Sequence, residues 1–180
     1  EILLPYGFSP KMIQQIWNNR NQDSGKKFYS EKHYLIKDRQ FYILSKTEEN
    51  IIDNQVFKDE KDLEKLQEFG FKIEKKTVEG PISFEKDNHL CYVDAQKLKF
   101  PLTLRTWKEG DFFYPLGMKG KQKLSDFFNN RKIDIINKRK IKILCSGEEI
   151  VWLVGFRSDE RYKIDKNTEY YYKITYYESL

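Results

Sequence analysis

Cysteine and histidine are scarce in this sequence of 180 residues, which contains two of each. The cysteines, Cys91 and Cys145, and the histidines, His33 and His89, show neither a Cys-x-x-Cys nor a His-x-x-x-His spacing. Spacings of that kind bring ligands together around zinc, so no metal site is predicted. Both cysteines lie in apolar, strand-like runs, and we expect them to be buried free thiols. Free thiols suit a reducing compartment, so the cytoplasm is the expected location.

Long apolar runs are also missing. No stretch approaches the length that crosses a membrane, and the first residues lack a basic region followed by an apolar core. We therefore expect no membrane partner, and export would require a signal upstream of this sequence.

Charged and aromatic residues are abundant instead. Charged residues make up 34% of the chain, hydrophobic residues 39% and aromatic residues 16%, with a net charge of +5 and an isoelectric point near 8.9. This composition is typical of a globular protein with a polar surface and enough residues for one or two small domains. The mild positive charge is compatible with nucleic-acid binding, although it also occurs in any lysine-rich protein.

The first half of the chain predicts a helix, a small set of strands and a linker. Ser9 is the expected N-cap and Pro10 the first residue of a helix whose apolar stripe is Met12, Ile13, Ile16 and Trp17. Short strands are predicted at 27–30, 34–37 and 41–45. Residues 46–60 are polar and contain neither proline nor glycine, and a linker is predicted at 51–69, with a short strand at 51–52 and a helical turn at 62–69.

The second half predicts more strands and short basic helices. Predicted strands cover residues 71–78, 82–84, 90–93, 141–145, 149–156 and 170–177, and helical segments lie within 127–140. Trp152 and Phe156 belong to the longest apolar run, so both are expected in the core. The consecutive tyrosines at the end favour a strand that is covered on both faces.

Residues 100–128 form the most informative stretch. Leu102 and Leu104 alternate with polar residues as in a half-buried strand, and Gly110 marks a turn in which Asp111 can accept backbone hydrogen bonds. Three lysines, Lys119, Lys121 and Lys123, then surround Gly120, and Ser125 is a candidate helix cap. Lysines beside backbone N–H groups at a helix start attract phosphate. A solvated loop explains the same residues, and composition alone favours it because Asp126 would repel an anion.

Five distinctive motifs follow one another from residue 101 to residue 155: Pro-Leu-Thr-Leu-Arg (101–105), Gly-Asp-x-Phe (110–113), Pro-Leu-Gly-Met-Lys-Gly (115–120), Lys-Leu-Ser-Asp-Phe-Phe (123–128) and Ile-Val-Trp-Leu-Val-Gly (150–155). In this order they resemble the C-terminal domain of tRNA(Ile)-lysidine synthetases. Tyr-Gly-Phe-Ser (6–9) and Gly-Lys-x-Phe-x-Ser (25–30) resemble the end of the family's middle domain. The Ser-Gly-Gly-x-Asp-Ser loop that binds ATP in this family does not occur in the sequence.

The resemblance implies an α+β fold: a short helix and hairpin segment, followed by a mixed, strand-rich α/β sandwich like that of lysidine synthetases and the phenylalanyl-tRNA synthetase β subunit. It divides the chain into the end of a substrate-recognition domain (1–50), a linker (51–69) and a C-terminal domain that binds the tRNA acceptor stem (70–180).

The resemblance also implies a reaction for the parent enzyme. With ATP and Mg, such an enzyme adenylates cytidine 34 of a CAU-anticodon isoleucine tRNA, and lysine then replaces the adenylate to give lysidine. The chain itself is expected to bind tRNA, to hold no cofactor and to be inactive alone. The basic positions implied as tRNA contacts are Arg105, Lys119, Lys121, Lys123, Arg131, Arg157 and Arg161.

Two other functions fit the sequence less well. A protein-interaction module or homodimer would use the aromatic-rich strands, and a large exposed apolar patch on the last strand would favour it. An independent hydrolase or metalloenzyme would need partners for the scattered cysteines and histidines, and the sequence offers none at useful spacing.

Overall fold

The computed structural model describes residues 1–47 and 54–177, which divide into two units. The smaller unit contains residues 1–47 and 133–138, and the larger unit contains residues 54–132 and 139–177. The strand predicted at 51–52 lies outside the described residues. The mixture of short helices and antiparallel sheets confirms the α+β class.

The smaller unit combines one helix with a three-stranded antiparallel sheet. Helix α1 (Pro10–Asn18) begins as predicted, because the Ser9 hydroxyl accepts a hydrogen bond from the Met12 N–H at 3.3 Å and Pro10 occupies the first turn. The sheet has the order β1 (Lys27–Tyr29), β2 (His33–Asp38) and β3 (Phe41–Lys46).

The helix packs on this sheet through one face. Phe8, Ile16, Phe28 and Leu35 are buried together, with Met12 and Ile13 against them. Trp17 was expected in the same core, but its side chain is 62% exposed. It lies beside the buried face, and the Arg20 guanidinium stacks at 4.7 Å from its ring. Of the predicted apolar stripe, Met12, Ile13 and Ile16 face the core and Trp17 does not.

The larger unit contains ten strands, helix α2 and the last residues of helix α3 among the described residues. In chain order they are β4 (Gln55–Phe57), β5 (Phe71–Thr77), β6 (Leu90–Asp94), β7 (Leu102–Thr106), β8 (Phe112–Phe113), β9 (Gln122–Lys123), α2 (Leu124–Asn130), α3 (Ile135–Lys140), β10 (Lys142–Ser146), β11 (Glu149–Leu153), β12 (Arg157–Ser158) and β13 (Tyr170–Tyr176). Short 3₁₀ helices cover Lys61–Phe69, Ala95–Lys97 and Glu160–Tyr162. The first residues of α3 belong to the smaller unit, where Ile136 packs with Tyr34 and Ile36.

Two main sheets build the larger unit. One has the strand order β12-β11-β10-β7-β4 and the other the order β5-β13-β6, and all pairings are antiparallel. Strands β10 and β11 form the predicted hairpin, whose turn residue Gly147 takes a positive φ of 56°. Strand β13 lies between β5 and β6, and Tyr171, Tyr172 and Ile174 are buried. This agrees with the prediction that both faces of the tyrosine-rich strand are covered.

The core of this unit joins the two sheets. Trp152 of β11 is fully buried and meets Phe71 of β5 edge to face, with ring centres 6.0 Å apart. The core position predicted for Trp152 is confirmed. Phe156 is only half-buried, because β11 ends at Leu153 and the chain turns before reaching it.

Two predicted segments differ from the structure. The described part of the expected linker contains β4 and a 3₁₀ helix, and it buries Phe57, Leu63 and Leu66 in the core of the larger unit. It is therefore part of the folded unit. Residues 82–84 form no strand, and Phe84 is 52% exposed.

Candidate nucleic-acid interface

An ion pair between Arg105 and Asp111 fixes the turn that precedes the basic loop. The Arg105 Nη1 lies 2.7 Å from the Asp111 Oδ2, and its Nη2 lies 2.9 Å from the Asp111 Oδ1. The same carboxylate accepts the Lys108 N–H at 2.7 Å, so the structural role predicted for Asp111 matches its contacts. Burial works to lower the pKa of Arg105, but the Asp111 carboxylate outweighs it and the pKa is raised.

This arrangement withdraws Arg105 from the expected RNA contacts. The residue is only 8% exposed, because β7 lies in the interior of its sheet between β10 and β4. A buried guanidinium that is held by two carboxylate oxygens stabilises the turn and does not face a ligand in solvent.

Arg161, also expected at the interface, is engaged by protein groups as well. Its Nε and Nη2 each donate to the fully buried Asp159 carboxylate at 2.9 Å, and its Nη1 donates to Glu149. The guanidinium lies 4.6 Å from the centre of the Tyr114 ring. Hydrogen bonding to Asp159 raises the pKa of Arg161 and keeps the charge in place. Asp159 in turn accepts the Tyr114 N–H at 2.8 Å, so this pair ties two loops together.

The basic loop, residues 115–123, is anchored near its start to the segment around Asp159. The Leu116 N–H donates to the Ser158 carbonyl at 2.9 Å, and the Gly117 N–H donates to the Glu160 Oε2 at 2.8 Å. The Gly117 N–H and Lys163 both lower the pKa of Glu160. These contacts hold one end of the loop in a defined position.

The lysines of the loop point into solvent. Lys119, Lys121 and Lys123 are exposed, and none of them makes an ion pair with another residue in 1–47 or 54–177. The Lys121 Nζ lies 4.9 Å from the centre of the Phe112 ring, which is also exposed. Strands β8 and β9 place Lys123 opposite Phe112. A group of uncompensated ammonium ions therefore lies beside an exposed aromatic ring.

The helix after the loop starts two residues earlier than expected. Helix α2 has Lys123 at its N-cap position without a side-chain cap, and the Ser125 hydroxyl donates only to the Asp126 carboxylate at 3.4 Å. The Leu124 N–H donates to the Asp111 carbonyl at 2.9 Å, which fixes the start of the helix. The predicted Ser125 cap is wrong, and the positive charge of this region comes from the lysines instead of the helix end.

Arg131 and Arg157 are the last two predicted contacts. Arg131 is exposed, and its guanidinium stacks at 4.5 Å from the Phe127 ring and 5.7 Å from the Phe156 ring. Arg157 is half-buried on β12 and makes neither an ion pair nor a side-chain hydrogen bond to any described residue. Its charge is therefore available to a ligand.

Asp159 and Glu160 are residues that the sequence reasoning missed. Asp159 caps a 3₁₀ helix that begins at Glu160, and the only sequence signal is this Asp at a helix start, where its side chain accepts the Arg161 N–H at 2.9 Å. Their partners in the other loop, Tyr114 and Gly117, lie more than 40 positions away in the chain, so spacing alone could not reveal these contacts.

Other kinds of site are not found in the described residues. Within residues 1–47 and 54–177, no three His, Cys, Asp or Glu side chains are grouped so that they could hold a metal ion. None of the helices in these residues has the length and apolar character to span a membrane. The terminal strand β13 is paired along both edges and exposes mainly Tyr170, so the large apolar patch that would favour a dimerisation module is absent from the described part of it.

Comparison with known families assigns both units. Residues 1–47 match the family model described as the TilS substrate binding domain, and residues 102–174 match the TilS substrate C-terminal domain. Both models describe parts of the same enzyme, TilS, and both are named for its substrate. The chain therefore corresponds to substrate-related regions of that class of enzyme.

Individual relatives agree. The chain is 42% identical over 170 residues to tRNA(Ile)-lysidine synthase of Parabacteroides distasonis and 36% identical over 172 residues to that of Bacteroides thetaiotaomicron. Each match covers 94% of this chain but only 38% and 37% of the relatives. The chain belongs to the tRNA(Ile)-lysidine synthase family and corresponds to its C-terminal part.

A solved structure supports the fold. The crystal structure of a TilS C-terminal domain aligns with a TM-score of 0.50 at 23% identity, covering 59% of this chain and 83% of that one. This likeness concerns the fold alone.

Proposed function

We propose that the chain is the tRNA-binding C-terminal portion of an enzyme that uses ATP, with Mg, to join lysine to cytidine 34 of CAU-anticodon isoleucine tRNA. The chain binds the acceptor stem of the tRNA. The ATP site belongs to another part of the parent enzyme. The compartment is the cytoplasm, which agrees with the two buried free thiols of Cys91 and Cys145. The observation that carries the proposal is the group of exposed, unpaired lysines on an anchored loop.

Phosphate contact is the chemistry that these lysines support. Each lysine that approaches a phosphate displaces condensed counterions, which favours binding of any nucleic acid. A-form RNA presents its phosphates and 2′-hydroxyls across a shallow minor groove, where long cationic side chains reach them. The loop formed by Lys119, Lys121 and Lys123 meets this requirement, and Arg131 and Arg157 extend the positive surface.

The members of the predicted contact set have different tasks. Lys119, Lys121, Lys123, Arg131 and Arg157 remain the proposed RNA contacts. Arg105 and Arg161 hold the loop and its neighbours through Asp111 and Asp159, so they act on RNA binding by positioning the lysines.

Filter binding tests the proposal with three RNAs: CAU-anticodon isoleucine tRNA, methionine tRNA, and isoleucine tRNA that carries the acceptor stem of methionine tRNA. We expect the chain to bind isoleucine tRNA most tightly and the chimera as weakly as methionine tRNA, because the chimera differs from isoleucine tRNA only in its acceptor stem. No binding to any of the three would contradict tRNA binding. A chimera that binds like isoleucine tRNA would contradict the acceptor-stem assignment alone.

A further inference from the structure

A cleft of about 460 Å³ lies next to the basic loop in the larger unit. Its apolar wall comes from Phe84, Tyr92, Leu116 and Phe156. The Phe84 ring is 52% exposed and is held edge to face against Tyr92, with ring centres 5.2 Å apart. The cleft thus offers an aromatic face whose position is already fixed.

The charged groups of the cleft leave a positive charge for a ligand. The Glu85 carboxylate accepts from the Lys173 Nζ at 2.6 Å and from the Tyr92 hydroxyl at 3.3 Å, and Lys163 is paired with Glu160. Arg157 and Lys86 also line the cleft, and among the described residues neither has an ion-pair partner. The unmatched charge is therefore cationic and favours an anion.

The cleft continues from the proposed phosphate-binding loop. Leu116 lines the cleft and lies in the same anchored turn as Gly117, three residues before Lys119. The cleft therefore adjoins the proposed phosphate-binding loop, so one RNA strand can contact both.

We propose that this cleft holds one unstacked nucleotide from the unpaired 3′ end of the bound tRNA. The base stacks on Phe84 and contacts Leu116 and Phe156, and its phosphate pairs with the Arg157 guanidinium. Proteins recognise single-stranded RNA ends by this combination of aromatic stacking and arginine contact. Pockets for small ligands usually measure roughly 300–1,000 Å³. The volume of this cleft, about 460 Å³, lies in that range and accommodates a nucleotide. The inference rests on the proposed tRNA binding and adds the part of the RNA that the cleft takes.

Binding of intact tRNA and of the same tRNA without its unpaired 3′-terminal nucleotides tests the inference. Both RNAs are titrated against the unaltered chain and against Phe84→Ala, Arg157→Gln and Arg157→Lys. Tyr177→Ala is the matched control, because Tyr177 is an exposed aromatic residue of the same unit that does not line the cleft. Circular dichroism confirms that each variant is folded.

We expect Phe84→Ala to weaken binding of intact tRNA by roughly 5- to 100-fold, the usual contribution of stacking one base. Arg157→Gln weakens it too, and Arg157→Lys lies between, because lysine keeps the charge but loses the planar fork. The truncated tRNA should bind as weakly to the unaltered chain as to Phe84→Ala, and Tyr177→Ala should change neither RNA.

Other outcomes separate the two proposals. Equal weakening of both RNAs by Phe84→Ala, or no weakening of either, would overturn the assignment of the cleft to the 3′ end while tRNA binding stands. Failure of the unaltered chain to bind intact tRNA would overturn the proposed function itself.

Discussion

At the scale of single residues, identical side chains have opposite tasks in this protein. Arg105 and Arg161 are held by the Asp111 and Asp159 carboxylates, whereas Arg157 has no partner among the described residues. The sequence predicted all three as RNA contacts, since a motif shows that a residue is basic but not whether its side chain is buried. The alternation of Leu102 and Leu104 implied that Arg105 faces away from the core, but β7 is covered on both faces. Only the pairing of distant strands decides such cases.

Trp152 is the residue whose loss should most affect the larger unit. It is fully buried against Phe71, so Trp152→Ala removes a large side chain from the junction of the two sheets. We expect the free energy of unfolding to fall by about 3–5 kcal/mol in urea titrations. Phe84→Ala in the same unit should change it by less than about 1 kcal/mol, because Phe84 is exposed. Equal small losses for both would contradict the packing described.

Asp111 should matter for stability and not for chemistry. Asp111→Asn removes the negative charge and one of the two acceptor oxygens that hold the buried Arg105, so a loss on the order of 3 kcal/mol is expected from thermal or urea unfolding. Asp126→Asn, at an exposed acid of the same region, is the control. In the full-length enzyme at saturating tRNA, Asp111→Asn should leave the single-turnover rate unchanged. A slower chemical step in a variant of unchanged stability would show that Asp111 takes part in the reaction.

At the scale of elements, sequence patterns located most strands and helices, and long-range contacts explain the exceptions. The capped start of α1, the β10–β11 hairpin and the covered strand β13 follow from local signals. The strand β4 was missed because three residues with one buried side chain give no alternation, although Leu63 and Leu66 show a helical spacing that indicates burial. The predicted start of α2 was wrong because the first N–H of the helix, that of Leu124, donates to the Asp111 carbonyl, which lies 13 positions earlier in the chain.

Glu160 is the side-chain acceptor that helps to hold the basic loop. Its pKa is below the ordinary value of 4.5, since the Gly117 N–H and Lys163 favour the charged form. Because the pKa of Glu160 is lower in the folded state, its charged carboxylate stabilises the loop above pH 4.5. This stabilisation is lost as the pH falls through the pKa of the folded state and the carboxylate becomes protonated. In NMR titrations, the Gly117 amide shift should therefore follow a midpoint below 4.5.

Substitution should reproduce the effect of acid at neutral pH. Glu160→Gln is expected to speed hydrogen exchange of the Gly117 amide, whereas Glu64→Gln, at an exposed acid elsewhere in the unit, is not. Unchanged exchange in Glu160→Gln would mean that Glu160 does not hold the loop.

At the scale of the whole molecule, the chain covers two substrate-related regions and little more than a third of its relatives. The sequence contains no Ser-Gly-Gly-x-Asp-Ser loop, so it should form no lysidine when supplied with ATP, lysine and isoleucine tRNA. Mass spectrometry of the digested nucleosides checks this, with a full-length relative as the positive control. Lysidine made by the purified chain, with contaminating enzyme excluded, would contradict the assignment of catalysis to another domain.

The salt dependence of tRNA binding tests the central claim most directly. Log Kd is measured over a series of salt concentrations for the unaltered chain, for Lys119→Gln/Lys121→Gln/Lys123→Gln, and for Lys61→Gln/Lys76→Gln/Lys166→Gln. The second triple variant removes the same charge from exposed lysines elsewhere in the larger unit. The loop variant should flatten the log–log slope by about 2–3, since each phosphate contact contributes roughly 0.7–0.9. It should also weaken binding to isoleucine and methionine tRNAs about equally, because phosphate carries no sequence. The control variant should keep the slope of the unaltered chain. Equal flattening by both variants would show that the loop lysines act only through net charge and that the RNA does not bind at the loop.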